Sequence, residues 1–218
     1  NVTVFSDEIY ANLCYNKKYA QSISNFCKKT VRANSLSKEF SCGGHRVGWI
    51  VFSEELDTLY SNVKVMFSSV SSCASIPLQY AANYALTYND EIKEHISQSI
   101  DIFSDISKKI LKIFEENKIY SSVPEGSWYI FVNLDNYSEY LFKRGVKTSG
   151  ELVEKLANEI GLVVVSGTEF HQPGICFRYA FVDIDVSRES DSLIDVTRKG
   201  NKLICTDDSR VFDGIHLF

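Results

Sequence analysis

The sequence predicts an α/β fold with a strand-rich first part and an α+β second part. Three observations carry this. Short apolar runs alternate with stretches of helical periodicity. A long apolar stripe of Ile92, Ile96, Ile100, Phe103, Ile106, Ile110 and Ile113 advances in steps of three and four. A well-marked helix then starts at Thr148-x-x-Glu151, which fits a capping box, and stops at Gly161. The chain has 218 residues, 44% hydrophobic and 23% charged, enough to bury a core without staples. Its 11 Gly and 3 Pro exclude collagen-like and disordered classes.

Taken in order, Val2-Thr3-Val4-Phe5 reads as a buried strand with acids Asp7 and Glu8 at its exit. Val31 to Ser35 reads as a second strand and Arg46 to Phe52 as a third, joined by the Ser- and Gly-containing loop Leu36 to His45. Pro77 suits the first position of a helix whose Leu78, Ala81, Ala82, Ala85 and Leu86 recur at helical spacing. The isoleucine stripe predicts one long amphipathic helix or two in line. Pro124-Glu125-Gly126 breaks it before a strand over Trp128 to Val132. Leu152, Val153, Leu156 and Ile160 form the apolar face of the capped helix. Leu162 to Val165 and Cys176 to Val182 read as strands, and Ser187 to Lys199 as a last helix stopped by Gly200.

Composition bounds the partners. The formal charge is −5, from 23 Lys+Arg against 28 Asp+Glu, without a basic block, so a nucleic-acid partner is not expected. No apolar run reaches the roughly 18 residues a bilayer requires, and Asn1 to Phe5 is no signal peptide, so no membrane partner is expected. Cys14, Cys27, Cys42, Cys73, Cys176 and Cys205 are scattered, which suits a cytoplasmic protein with reduced cysteines. His45, His95, His171 and His216 form no ligand pattern, so no metal site is expected. The absence of an initiator Met raises the expectation that the chain is a piece of something longer.

The densest cluster of unusual residues runs from Asn34 to Gly48 and includes Ser35, Ser37, Lys38, Gly43, Gly44 and Arg46. A lysine held out of water in a small-residue loop beyond a strand becomes a nucleophile or Schiff-base former. The hydroxyls of Ser35 and Ser37 with the guanidinium of Arg46 suit a dianionic phosphate. Strand exits are where α/β sheets place ligands, and Asp7 lies at another exit. On spacing alone, a surface lysine in a polar loop is the simpler reading.

Ser35-Leu36-Ser37-Lys38 through Arg46-Val47-Gly48 resembles the lysine signature of class I and II pyridoxal-phosphate aminotransferases. The match covers the serine three before the lysine, the arginine eight after it and the following glycine, Gly48; Cys42 departs, standing where an aliphatic residue or Phe is usual. Ser6-Asp7-Glu8-Ile9-Tyr10 resembles the family's D-x-x-Y element, and Leu78 to Ala82 the helix after the lysine strand. Pro124 to Tyr129 resembles the P-x-G-aromatic strand, and Phe177 to Phe181 the late R-x-x-F element. They occur in the family's order.

The resemblance implies the type I fold of these enzymes: residues 1–95 as the remainder of the cofactor-binding large domain, and 96–218 as a smaller α+β carboxyl-terminal domain with a tail from about 201. It implies pyridoxal 5′-phosphate as cofactor, amino-acid and 2-keto-acid substrates, and a homodimer as the full-length protein. Lys38 would form the internal aldimine, Asp7 pair with the pyridine nitrogen and Tyr10 bond the cofactor's phenolic oxygen. Ser35, Ser37 and Arg46 would bind the phosphate, and Arg178 would fork onto the substrate α-carboxylate. The family's glycine-containing phosphate loop, ring-stacking aromatic and O3′-binding asparagine are not found before Asp7, so the isolated chain is expected to be inactive.

Other readings stay open beside it. Asp7 also fits a cap for a helix starting at Glu8, Tyr10 an ordinary half-buried tyrosine, Arg178 a surface residue on a strand, and Trp128 and Tyr129 core positions. The same fold hosts carbon–sulfur lyases and aminocyclopropane-carboxylate synthases. A non-catalytic fragment or degenerate relative with a folding or dimerisation role is the alternative. Ser35-x-x-Lys38 fits the penicillin-binding S-x-x-K pattern, but Tyr10-Ala11-Asn12 precedes it in the wrong order. Gly145 to Gly150 has P-loop spacing, but Glu151 stands where a lysine is required.

Overall fold

The computed structural model describes residues 2–182. The expected helix Ser187–Lys199 and the tail, with Cys205 and His216, lie outside the described residues. The chain divides into two compact units. The first reaches Ile102 and takes in Glu125–Ser127; the second holds Phe103–Pro124 and resumes at Trp128.

The first unit is built on a three-stranded sheet, β1 (Val4–Asp7), β2 (Thr30–Ser35) and β3 (Gly48–Phe52), in that order. β1 runs parallel to β2, with Val4 opposite Thr30 and Asp7 opposite Ala33. β3 returns antiparallel, from Ser35 opposite Gly48 to Val31 opposite Phe52. Parallel pairing sends β1 and β2 out of the sheet at the same edge, so Asp7 and Ser35 both stand at carboxyl ends there. β3 starts two residues later than the sequence suggests. Arg46 adopts φ 55° and ψ 47°, a left-handed conformation that cannot extend a strand.

Three helices follow: α1 (Asp57–Val70), α2 (Ile76–Ala85) and α3 (Asp90–Glu116). No residue of α1 is buried, and its exposed Val65, Met66, Phe67 and Val70 bunch together rather than forming a stripe. That is why periodicity gives no warning of this helix. In α2, Pro77 follows the first residue, where its missing N–H costs nothing, and Ala82 and Ala85 face inward. The isoleucine stripe forms one helix, α3, with Ile96, Ile100, Ile106 and Ile110 buried.

The second unit carries β4 (Tyr120–Ser121), β5 (Tyr129–Asn133), α4 (Ser138–Lys143), α5 (Ser149–Ile160), β6 (Val165–Ser166) and β7 (Cys176–Ala180). The strands form an antiparallel sheet in the order β4-β5-β7-β6. The strand expected over Trp128 to Val132 is β5, where Ile130 and Val132 are buried between half-buried neighbours. α5 has the full capping box at Thr148 and Glu151, and Gly161 ends it at φ 70°. The apolar run Leu162–Val165 contributes only Val165 to a strand; Leu162 instead closes the helix end, its N–H bonded to Leu156 O. A continuous apolar run does not distinguish a strand from a helix terminus.

Candidate active site

The loop between β2 and β3 is pinned from within. Leu36, Glu39, Phe40 and Val47 are buried, and Leu36 and Val47 are joined by a backbone hydrogen bond of 3.0 Å. Its turns need local help. Ser35 Oγ accepts the Ser37 N–H at 3.0 Å, and Asn34 Oδ1 accepts the Ser35 N–H at 2.7 Å. Gly48 is closely fitted: a Cβ there would lie 3.1 Å from Asn34 O and 3.3 Å from Ser35 Cβ. On this frame Lys38 is half-buried rather than withdrawn from water. Its Nζ lies 5.9 Å from the centre of the Tyr10 ring, a cation–π approach.

Tyr10 reaches this point through the turns after β1. Asp7, exposed at the end of that strand, accepts the Ile9 N–H at 3.3 Å. This caps a turn, and no helix begins at Glu8. Glu8 faces away from a ligand role: its carboxylate accepts from Ser22 Oγ at 2.7 Å and Ile23 N at 3.2 Å, with Arg32 at 3.8 Å. Arg46 is exposed and donates to Gly43 O at 3.1 Å, and among the described residues no carboxylate pairs with it.

The donor set fits the expected cofactor. An amine for an aldehyde, hydroxyls and a guanidinium for a phosphate, and a carboxylate for a protonated ring nitrogen lie on one loop and the neighbouring strand exit. The structure brings Lys38 to Tyr10 and Ser35 to Ser37, with Arg46 on the same loop and Asp7 at the exit of the neighbouring strand. Arg178 belongs to the second unit, on β7, where Phe177 and Tyr179 point inward and Arg178 is half-buried. Its guanidinium carbon lies 4.3 Å from the Tyr129 ring centre and 5.0 Å from that of Phe170. Tyr129 is therefore a partner of Arg178, whereas Trp128 is core as expected.

Sequence reasoning missed Glu39, the residue after Lys38. It is fully buried, and its Oε1 accepts the Tyr88 hydroxyl at 2.5 Å. Asn12 Nδ2 donates to the same phenol oxygen at 3.0 Å. Burial pushes the Glu39 carboxyl above the usual carboxylate range, against the opposing pull of Tyr88 and Asn12. The sequence signal was an acid between a loop lysine and an aromatic, which is not specific enough to act on.

Comparison with known proteins bears on the family and the fold. Residues 1–188 match the family described as "Aminotransferase class I and II". A probable aspartate aminotransferase from Methanocaldococcus jannaschii is 29% identical over 195 residues, covering 86% of this chain and 48% of that protein. An asparagine–oxo-acid transaminase from Streptococcus mutans is 29% identical over 178 residues, covering 79% of this chain and 43% of that protein. The structure of an aspartate aminotransferase from Thermotoga maritima superposes with TM-score 0.63 at 26% identity, over 83% of this chain and 43% of that one. An aromatic aminotransferase from Pyrococcus horikoshii gives 0.69 at 24% identity, over 82% and 46%, and shares the type I fold. The chain thus spans about half the length of the curated relatives it matches. By its matched family and by the fold of these relatives, the chain belongs to the class I and II aminotransferases.

Proposed function

We propose that this chain carries the lysine-bearing part of an enzyme that transfers an amino group between an amino acid and a 2-keto acid. The observation that carries the proposal is Lys38 lying against Tyr10 beside the strand exits that hold Asp7 and Ser35. Family members work with pyridoxal phosphate, which when bound supplies an aldehyde for amines and a protonated ring that draws electrons from the substrate Cα. Lys38 would meet the aldehyde with its amine and would be the group that moves the proton leaving the substrate Cα. Asp7 would favour a protonated ring nitrogen, because a nearby anion favours the charged form. Tyr10 would donate its phenol hydrogen to the cofactor's ring oxygen. Ser35, Ser37 and Arg46 would hold the phosphate, and Arg178 would take the substrate α-carboxylate in a bidentate fork.

In this proposal residues 1–95 end a cofactor-binding large domain and 96–218 form a small domain, within a homodimeric full-length enzyme. The relatives' names make aspartate, asparagine and glutamate the first amino donors to try. The test takes a protein carrying this chain at the full length of its relatives and adds pyridoxal phosphate. A visible absorbance band should appear, an amino donor should bleach it, and Lys38→Ala should abolish both. An unchanged spectrum overturns the proposal. The 218-residue chain alone is expected to bind the cofactor weakly or not at all.

A further inference from the structure

The carboxyl of Glu39 is an expensive thing to bury. It is 0% exposed, one oxygen meets Tyr88, and the other is buried with no hydrogen-bond partner among the described residues. An apolar residue would serve stability at least as well, because an incompletely satisfied buried acid costs more than it returns. The apolar anchor is already present next door: Phe40 is buried, with its ring 5.7 Å from that of Tyr88. Glu39 is thus superfluous for packing the loop.

What it adds is a fixed relation between three segments. Tyr88 stands between α2 and α3 at φ 46°, a left-handed conformation that a tyrosine takes only when its surroundings hold it. Its hydroxyl donates to Glu39 and accepts from Asn12. Asn12 lies two residues after Tyr10, and Glu39 one after Lys38. The phenol therefore ties the Tyr10 turn to the Lys38 loop at the place where those two side chains approach within 5.9 Å. We propose that Glu39 is a positioning residue that, through Tyr88 and Asn12, holds Lys38 beside Tyr10. Its bearing on catalysis rests on Lys38 being the amine that meets the cofactor. Burial also raises the Tyr88 phenol, followed in weight by its bond to Glu39, and burial raises the Glu39 carboxyl as well.

The test reads Lys38 directly, without cofactor or turnover. The 218-residue chain is treated with an amine-acylating reagent, and the Lys38 peptide is quantified by mass spectrometry against exposed Lys64 on α1. Glu39→Leu should raise Lys38 labelling roughly tenfold, the effect of losing one hydrogen bond to an ionisable group, while the melting temperature holds or rises. Glu39→Gln keeps an acceptor for the phenol and should stay near the parent rate. Tyr88→Phe, which removes only the hydroxyl, should reproduce the rise, and joining it to Glu39→Leu should add nothing. Parent-like labelling in both Glu39→Leu and Tyr88→Phe overturns the proposal, as does a rise that merely follows a fall in melting temperature. A separate arm adds pyridoxal phosphate and borohydride to the full-length protein. A missing adduct on Lys38 defeats the cofactor reading and leaves the labelling result to decide the positioning role.

Discussion

The Arg178 guanidinium lies 4.3 Å from the centre of the Tyr129 ring, and among the described residues its buried Nε has no hydrogen-bond partner. Stacking on an aromatic face holds the planar group while leaving its outer nitrogens available for a carboxylate. Tyr129→Leu and Phe170→Leu should each lower stability by about 1 kcal/mol, and about half of that should vanish in an Arg178→Met background. Urea denaturation of the two four-member cycles, one for each ring, checks this. Equal costs in both backgrounds would mean that the rings merely fill space.

Gly126 is set by backbone contact. A Cβ there would lie 2.4 Å from Leu13 O, where Cys14 and Gly126 form an isolated β-bridge and Ser127 N donates to Leu13 O. Backbone cannot step aside as a flexible side chain can. Gly126→Ala should cost about 1–3 kcal/mol, the usual range for overpacking. Gly150→Ala is the control, because its Cβ would meet only Thr148 Oγ1 at 3.8 Å. Comparable urea midpoints for the two variants would refute the account.

The capping box of α5 makes stability depend on acid. Glu151 Oε2 accepts the N–H groups of Lys147 at 2.7 Å and Thr148 at 3.0 Å, and these bonds, Lys147 first, hold its pKa below 4.5. A carboxylate with a lowered folded pKa contributes stability above its unfolded value and loses it as pH falls through the folded one. Glu151→Gln should therefore flatten the acid limb below pH 4.5. Thr148→Ala should cost about 1 kcal/mol at neutral pH, as for other lost N-caps. Thermal melts across pH measure both.

The elements with strong local chemistry were legible in the sequence. Thr148, Glu151 and Gly161 bound α5 by capping alone, and the isoleucine stripe defined α3, because those signals act within one or two turns. Lys38, Arg46 and Asp7 were legible as an ordered set of motifs. What was hidden depends on residues far apart in sequence. The Glu39–Tyr88 bond spans 49 positions, and no periodicity announces it. The left-handed backbone at Arg46 was hidden for a different reason: arginine has no preference for it, and the surrounding loop imposes it.

Glu39 should also leave a signature in stability against pH. Its folded pKa is raised, chiefly by burial, so its carboxyl stays protonated in the folded chain after it ionises in the unfolded one. Stability from this group is complete below the unfolded value of about 4.5 and is lost as pH rises through the folded pKa, the opposite sign to Glu151. The stability of Glu39→Gln relative to the parent should improve steadily as pH rises from 4.5. A pH-independent difference in urea titrations would show that the carboxyl ionises freely in the folded state.

Arg46 offers a test of phosphate recognition that separates charge from loop shape. Its backbone sits at φ 55°, a conformation glycine accepts without strain, so Arg46→Gly removes the guanidinium while easing the loop. In the full-length protein, this variant should weaken pyridoxal phosphate about ten- to a hundredfold, the effect of losing charge-assisted hydrogen bonds. Binding of pyridoxal, which has the same ring and aldehyde but no phosphate, should hardly change. Titration of both compounds by absorbance gives the two constants. Equal losses for the two would place Arg46 in the architecture of the loop rather than at the phosphate, and no loss for either would remove it from the site.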